Sequence, residues 1–168
     1  PEGASVIVLD SGVPRQLVGS VYNQRRAECE HAATLLGVKN LREVDDPTCA
    51  ASLPSPLAQR ARHVISENNR VLEAKRGICA PHFGELMNAS HTSLRDDYQV
   101  SITALDVLSD LMQKTPHVYG ARLTGAGFGG ACVGLVQTEF QMQAAIQILT
   151  AYQARGYQAG RIIVPPLS

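Results

Sequence analysis

Residues Arg122-Leu123-Thr124-Gly125-Ala126-Gly127-Phe128-Gly129-Gly130 place four glycines within six positions, behind an arginine and a threonine. Glycine at that density frees φ and bares the backbone, so a second backbone or a phosphate can come close. Gly125, Gly127 and Gly130 satisfy G-x-G-x-x-G. A dinucleotide site needs that motif between a strand and a helix, with an acid about 20 residues on. An apolar, strand-like run, residues 131–136, follows here instead, and no Gly-Lys-Ser/Thr closes the loop as in a Walker motif. Two readings stay open on spacing alone: a strand–loop–strand turn packed beneath another segment, or a loop that touches phosphate.

The other residues capable of chemistry have plainer readings. Tyr22 lies near the start of an amphipathic stretch and reads, unaided, as a core tyrosine with its hydroxyl at the rim. His91, Asp96 and Asp97 have no third metal ligand at a suitable spacing, and the two carboxylates are expected to cap a helix or pair with arginine. Arg60, Arg62 and Arg70 stand among Glu67 and Glu73 and read as a solvated or ion-paired face. Cys29, Cys49, Cys79 and Cys132 are widely spaced, with no C-x-x-C. They read as free thiols in a reducing cytosol, Cys29 and Cys132 as inert core groups.

The elements that must position these groups follow from periodicity. Residues 5–9 form a short β-branched run ended by Asp10-Ser11-Gly12, which predicts a buried strand and a turn. Over residues 17–36, Val18, Val21, Tyr22, Cys29, Ala32, Ala33 and Leu36 share one helical face, and Arg26 can pair with Glu30 four positions on. Residues 39–56 hold three prolines and predict a loop with short helical turns. Residues 57–72 predict a helix with Leu57, Ala61, Val64, Ile65, Val71 and Leu72 inward. Pro81 suits the first turn of the next helix, and Thr103 is expected to cap the one after. Strands are expected at residues 118–124, 131–136 and 161–164. A helix over residues 140–152, with Met142, Ala145, Ile146 and Leu149 on its inner side, is expected between the last two. Strands from both ends of the chain must pair to escape being edges. The fold class is therefore α+β: a small, largely antiparallel sheet with helices on one face.

Composition narrows the partners. The chain has 168 residues, 45% hydrophobic, and 15 basic residues balance 15 acidic ones. That length suits a single domain. A balanced charge argues against nucleic acid and against docking on an anionic membrane. No apolar run approaches the roughly 20 residues of a transmembrane helix. The opening Pro1-Glu2-Gly3 lacks the charged and apolar regions of a secretory leader. A cytoplasmic location is expected. The chain has no initiator Met and meets a strand almost at once, so it is expected to be cut from something longer, with processing or trimming as the other source of such a start.

The tract from Arg122 to Gly130 resembles the third signature motif of the GHMP kinases. Two further tracts are similar to galactokinases in particular: Leu17-Val18-Gly19-Ser20-Val21-Tyr22-Asn23-Gln24-Arg25-Arg26-Ala27-Glu28-Cys29-Glu30, and Ser90-His91-Thr92-Ser93-Leu94-Arg95-Asp96-Asp97-Tyr98-Gln99-Val100-Ser101. Arg62-His63-Val64 also fits, and the resemblance runs over about residues 6–164. It implies a GHMP-kinase C-terminal-type domain over residues 1–168 and transfer of the γ-phosphoryl of ATP to O1 of galactose, with Mg²⁺. It places Tyr22 against the sugar, and Thr124, Gly125, Ala126, Gly127, Phe128, Gly129 and Gly130 beside the triphosphate-binding segment. The family's Gly-Glu-His-x-Asp tract, Gly/Ser-rich triphosphate loop and catalytic aspartate are absent from this sequence. The resemblance thus implies a supporting half of an active site, with no catalytic residue and no metal ligand of its own, partnered by an N-terminal half. A kinase for N-acetylgalactosamine, arabinose or galacturonate, or a regulatory sugar sensor, would carry the same tracts.

Overall fold

The computed structural model describes residues 1–15 and 18–166. Leu17 and the side chain of Val18, placed above on the first helix, lie outside the described residues. In chain order the elements are β1 (Ala4–Asp10), α1 (Val18–Leu35), α2 (Leu57–Ala74), α3 (Ala80–Asp96), α4 (Thr103–Lys114), β2 (Val118–Thr124), β3 (Ala131–Gln137), α5 (Gln141–Ala154) and β4 (Arg161–Val164). Short 3-10 turns lie at Leu41–Glu43, Pro47–Ser52 and Thr138–Phe140. The α+β class expected from periodicity is the one observed.

The four strands form one sheet in the order β2-β3-β1-β4, with every neighbouring pair antiparallel. The first strand in sequence thus lies inside the sheet, zipped between strands from the far end of the chain. Its register is set by an inward row: Leu123, Cys132, Leu9 and Ile162 stand side by side across all four strands. All four are buried against α4 and α5, together with Ile7, Leu105, Leu108, Met112 and Ile148. A slip of one residue would turn that row to the other face. Gly134, opposite Ile7, leaves the room that Met112 fills. Tyr152 on α5 sits beneath, its hydroxyl 3.1 Å from the Ser11 carbonyl and 3.2 Å from that of Ala104.

Helices α4 and α5 cover one face of the sheet. Helix α3 runs along the outer edge of β2. Two β2 amides that would otherwise face outward unpaired donate to α3 side chains: Ala121 N–H to Asn88 Oδ1 at 2.8 Å, and Leu123 N–H to His91 Nδ1 at 3.2 Å. An edge strand is thereby closed by side chains instead of a fifth strand. Phe83 and Met87 lean from α3 over the second face toward Val133 and Leu135. Helices α1 and α2, with the 3-10 turns, build a separate apolar cluster around Ala32, Ala33, Leu41, Leu57, Ala61 and Ile65.

Three local expectations are corrected. Val71 and Leu72 were expected inward but are 58% and 48% exposed, because the last turns of α2 run past the α1–α2 cluster. On α5 the buried residues are Ala144, Ala145, Ile148 and Tyr152, whereas Met142 and Ile146 face out. The helix is rotated so that Tyr152 reaches the carbonyls beneath the sheet. Thr103 is the first residue of α4, not its cap. The position before it is Ile102, which offers no side-chain bond, and Ser101 Oγ donates to Asp106 instead at 2.5 Å.

Candidate functional site

The glycine loop joins β2 to β3 at one end of the sheet, and its glycines answer both to left-handed backbone and to close packing against other segments. Gly127 has φ +78°, and a Cβ there would stand 2.1 Å from the Val100 carbonyl oxygen. Left-handed backbone and close approach of a second backbone therefore coincide at one residue. Phe128 follows at φ +57°, its ring packed on the main core, and its N–H donates to Val100 O at 2.8 Å. On the other side Gly130 N–H donates to Val13 O at 2.9 Å, and Ser11 N–H donates to Gly130 O at 2.8 Å. The loop is thus wedged between residues 11–15 and the α3–α4 connection. Among the described residues the amides of Ala126, Gly127 and Gly129 make no backbone hydrogen bond. Backbone N–H groups left free in a glycine loop can serve an anion.

Arg15 is a residue that the sequence reading did not single out. Its guanidinium lies 2.3 Å from the point where a Cβ of Gly125 would be and 2.8 Å from that of Gly130. Arg15 and the loop are 110 positions apart in sequence, so only the β1–β3 pairing brings them together. No spacing signal could have found it.

Tyr22 is on the second turn of α1 and is 54% exposed, so it is not a core tyrosine. The apolar side of α1 is carried by Ala32 and Ala33 further along. Arg25, one turn after Tyr22, is buried, and its Nε donates to the Tyr98 carbonyl at 2.8 Å. Burial pushes the Tyr98 phenol up to about 12, with neighbouring Cys29 and then Tyr22 adding to it. Arg25 thus ties the early turns of α1 to the same α3–α4 connection that the glycine loop touches through Val100.

The first residue of the glycine motif is bound to the fold. Arg122 Nη1 meets Glu67 at 3.0 Å and the Ser90 hydroxyl at 3.0 Å, and Ser90 donates to Glu67 at 2.7 Å. Burial opposes ionisation of Glu67, but Ser90, Arg70 and Arg122 outweigh it and hold the carboxylate below its usual range. A groove of about 370 Å³ lies beside this cluster, lined by Val6, Val71, Phe83, Met87 and Leu135, with Thr124 among its walls.

The remaining candidates are held in ion pairs or buried in the fold. Asp96 pairs with Arg95 at 2.7 Å and Asp97 with Arg62. Of the arginines on α2, Arg70 pairs with Glu67 and Arg60 with Glu28. Arg60 is 2% exposed, so ion pairing and not solvation is what holds it. His91 accepts from Leu123 on Nδ1, which leaves the proton on Nε2, 3.4 Å from Asp106. Burial lowers its pKa, so the ring is neutral. Among the described residues no three His, Cys, Asp or Glu side chains converge to hold a metal ion. Burial raises the thiols of Cys29 and Cys132.

The family model described as GHMP kinases C terminal matches residues 72–155. A protein named galactokinase from Roseiflexus sp. (strain RS-1) is 48% identical over 148 residues, covering 82% of this chain and 38% of that protein. One of the same name from Chloroflexus aggregans (strain MD-66 / DSM 9485) is 42% identical over 176 residues, covering 98% of this chain and 44% of that protein. The crystal structure of Lactococcus lactis galactokinase complexed with galactose superposes with a TM-score of 0.87 at 32% identity, over 96% of this chain and 44% of that one. The Methanococcus jannaschii mevalonate kinase shares the fold, with a TM-score of 0.63 at 18% identity over 96% of this chain and 39% of that one. The chain thus spans between 38% and 44% of the length of these curated relatives.

Proposed function

The chain belongs to the GHMP kinases, whose C-terminal family it matches, and from that premise we propose that it forms the C-terminal portion of a galactokinase. The reaction is transfer of the γ-phosphoryl of ATP to O1 of galactose, carried out with an N-terminal half. The observation that carries this reading is the glycine loop. Among the described residues the amides of Ala126, Gly127 and Gly129 have no backbone partner, and the Arg15 guanidinium lies against Gly125 and Gly130 of the same loop, a setting suited to the oxygens of a triphosphate or to the loop that holds them. The identities of 42–48% to proteins named galactokinase support the same substrates.

Phosphoryl transfer is mostly positioning and neutralisation of charge. This chain's share is positioning. Its loop, residues Thr124, Gly125, Ala126, Gly127, Phe128, Gly129 and Gly130, lets a second backbone approach on the phosphate side. Arg15 adds one positive charge there. Tyr22 offers an aromatic face to the sugar ring and a hydroxyl to one of its oxygens. Mg²⁺ would neutralise the phosphates of bound ATP. The described residues offer no ligand set for it, so its ligands would come from the N-terminal half and the nucleotide. No helix among the described residues is long and apolar enough to cross a membrane, which suits an enzyme working in the cytoplasm.

A coupled ADP-release assay on the full-length protein encoded with this chain tests the reading. Turnover with galactose is expected to exceed turnover with N-acetylgalactosamine, arabinose or galacturonate. Preference for another of these sugars, or no sugar-dependent turnover, overturns it. The 168-residue chain alone is expected to be inactive.

A further inference from the structure

The connection between α3 and α4 has an unusual fate for its backbone. Four successive carbonyls, residues 97–100, are each taken by a donor from another element. Arg60 Nη1 donates to the Asp97 carbonyl. Arg25 Nε donates to the Tyr98 carbonyl at 2.8 Å, and Arg25 Nη2 lies 3.4 Å from that of Gln99. The fourth, Val100 O, accepts from Phe128 N–H in the glycine loop at 2.8 Å. The Gln99 side chain accepts from Arg60 Nη2 at 2.9 Å, and its backbone sits at φ +56°.

Both arginines are buried, at 8% and 2% exposure, and both bind Glu28, at 3.1 Å from Arg25 and 2.7 Å from Arg60. Burial works against Glu28, but bonds from Arg60 and Gln24 and the two guanidinium charges keep it ionised below its usual range. Two positive charges and one negative leave one positive charge unbalanced, and the carbonyl oxygens of residues 97–99 supply the negative dipole ends that match it. Only a planar guanidinium can fork to a carboxylate and to carbonyls together; a lysine ammonium cannot span that geometry.

The connection therefore works as a strap. Arg25 is one turn from Tyr22 on a rigid helix, and Phe128 is next to Gly127. We propose that Arg25 and Arg60 are positioning residues, which through residues 97–100 hold the glycine loop in fixed register with the start of α1. The proposal rests on the reading that the loop serves the triphosphate and Tyr22 the sugar. On that reading one strap sets the spacing between the two substrates, and loosening it displaces both. This differs from a stabilising role, which would lower the melting temperature and leave both Michaelis constants alone.

The test is steady-state kinetics and amide hydrogen exchange on the full-length protein carrying Arg25→Lys, Arg60→Lys or Gln99→Gly. The glycine substitution leaves the buried ion cluster paired and relieves the positive φ, so it stays folded where a lysine variant does not. Folded variants are expected to raise KM for galactose and for ATP together, by about 3- to 10-fold, the loss of roughly one hydrogen bond. Exchange at the Phe128 amide is expected to quicken by a similar factor. A folded variant with a lower melting temperature but both KM values and Phe128 exchange unchanged overturns the proposal, as does a rise in only one KM. If the unsubstituted protein has no galactose-dependent turnover, the galactokinase reading fails, and Phe128 exchange alone decides whether the strap holds the loop.

Discussion

Gly84 of α3 and Gly120 of β2 pack backbone on backbone. A Cβ on Gly84 would stand 2.2 Å from the Tyr119 carbonyl oxygen, and one on Gly120 2.1 Å from the carbonyl oxygen of Gly84. This contact draws α3 onto the β2 edge so that Asn88 and His91 can close it. Gly84→Ala and Gly120→Ala are each expected to destabilise the protein by about 1–3 kcal/mol or more, since backbone cannot yield as a side chain can. Gly19→Ala, in α1 with nothing among the described residues within 4 Å of the added Cβ, is expected to be stabilising by roughly 0.5–1 kcal/mol. Denaturant melts of the three variants check the contrast.

The glycines of the loop are expected to divide by what faces them. Gly127 meets the Val100 backbone, whereas Gly125 meets the Arg15 side chain, which can move. Gly127→Ala is expected to lower the melting temperature, with Gly127→Val worse, because positive φ alone costs a non-glycine residue roughly 1–2 kcal/mol. Gly125→Ala carries the same φ cost without a backbone clash, yet it displaces Arg15. Its loss is therefore expected mainly in KM for ATP. Melting curves and ATP kinetics on both variants in the full-length protein separate these outcomes, and a folded Gly127→Val enzyme with normal ATP kinetics would remove the loop from the phosphate site.

Tyr22 is exposed, so its hydroxyl contributes little to the fold. Tyr22→Phe is expected to leave the melting temperature unchanged and to raise KM for galactose by the value of one hydrogen bond, about 0.5–1.5 kcal/mol. An unchanged KM with a lowered melting temperature would return Tyr22 to a structural role.

His63 makes stability depend on pH. Ser93 donates its hydroxyl proton to Asp97 at 3.1 Å, so the same oxygen accepts from His63 Nδ1 at 2.9 Å. Burial leads the perturbation, and the pKa falls from 6.5 to about 4. A depressed histidine favours the folded state when neutral. Its contribution is full above pH 6.5 and is lost as pH falls from there through about 4. The unfolded chain takes up one more proton across that window, a slope of about 1.4 kcal/mol per pH unit. His63→Phe retains a ring to stack on Tyr98 but cannot titrate, so urea melts between pH 7 and pH 5 are expected to show a flatter profile. An unaltered slope would place the pH dependence elsewhere.

The four thiols are expected to react in order of exposure. Cys79 is exposed and Cys132 buried, and burial raises the thiols of Cys29 and Cys132 against forming thiolate. A thiol reagent followed by mass mapping is expected to label Cys79 first and Cys132 last. Early labelling of Cys132 would mean that the sheet opens locally.

Much of the architecture was legible because the signals are local. The β-branched runs at Ala4–Asp10 and Ala131–Gln137, Pro81 in the first turn of α3 and the glycines between β2 and β3 each act within a few residues. Helical faces were less legible where burial depends on a distant partner. Val71 is apolar at helical spacing yet faces the groove, because no other part of the described chain covers that end of α2. Ile146 gave its expected place to Ile148 because Tyr152 had to reach Ser11 and Ala104.

At the candidate site, the composition of residues 122–130 by itself determined that a bare, left-handed loop joins two strands, since glycine adopts such backbone at the least steric cost. The apolar runs at residues 5–9 and 131–136 by themselves determined that buried strands lie there, while strand pairing decided which face of each meets the helices. Tertiary structure decided what that loop meets. Arg15 reaches Gly125 across 110 positions only because β1 pairs with β3. Arg60 read as part of a solvated or ion-paired face and Arg25 carried no reading of its own, and they became buried clamps only when α1, α2 and the α3–α4 connection closed around them. A charge is read from sequence, but the carbonyls and the carboxylate that make its burial tolerable come from segments up to 74 positions away, and no local pattern encodes them.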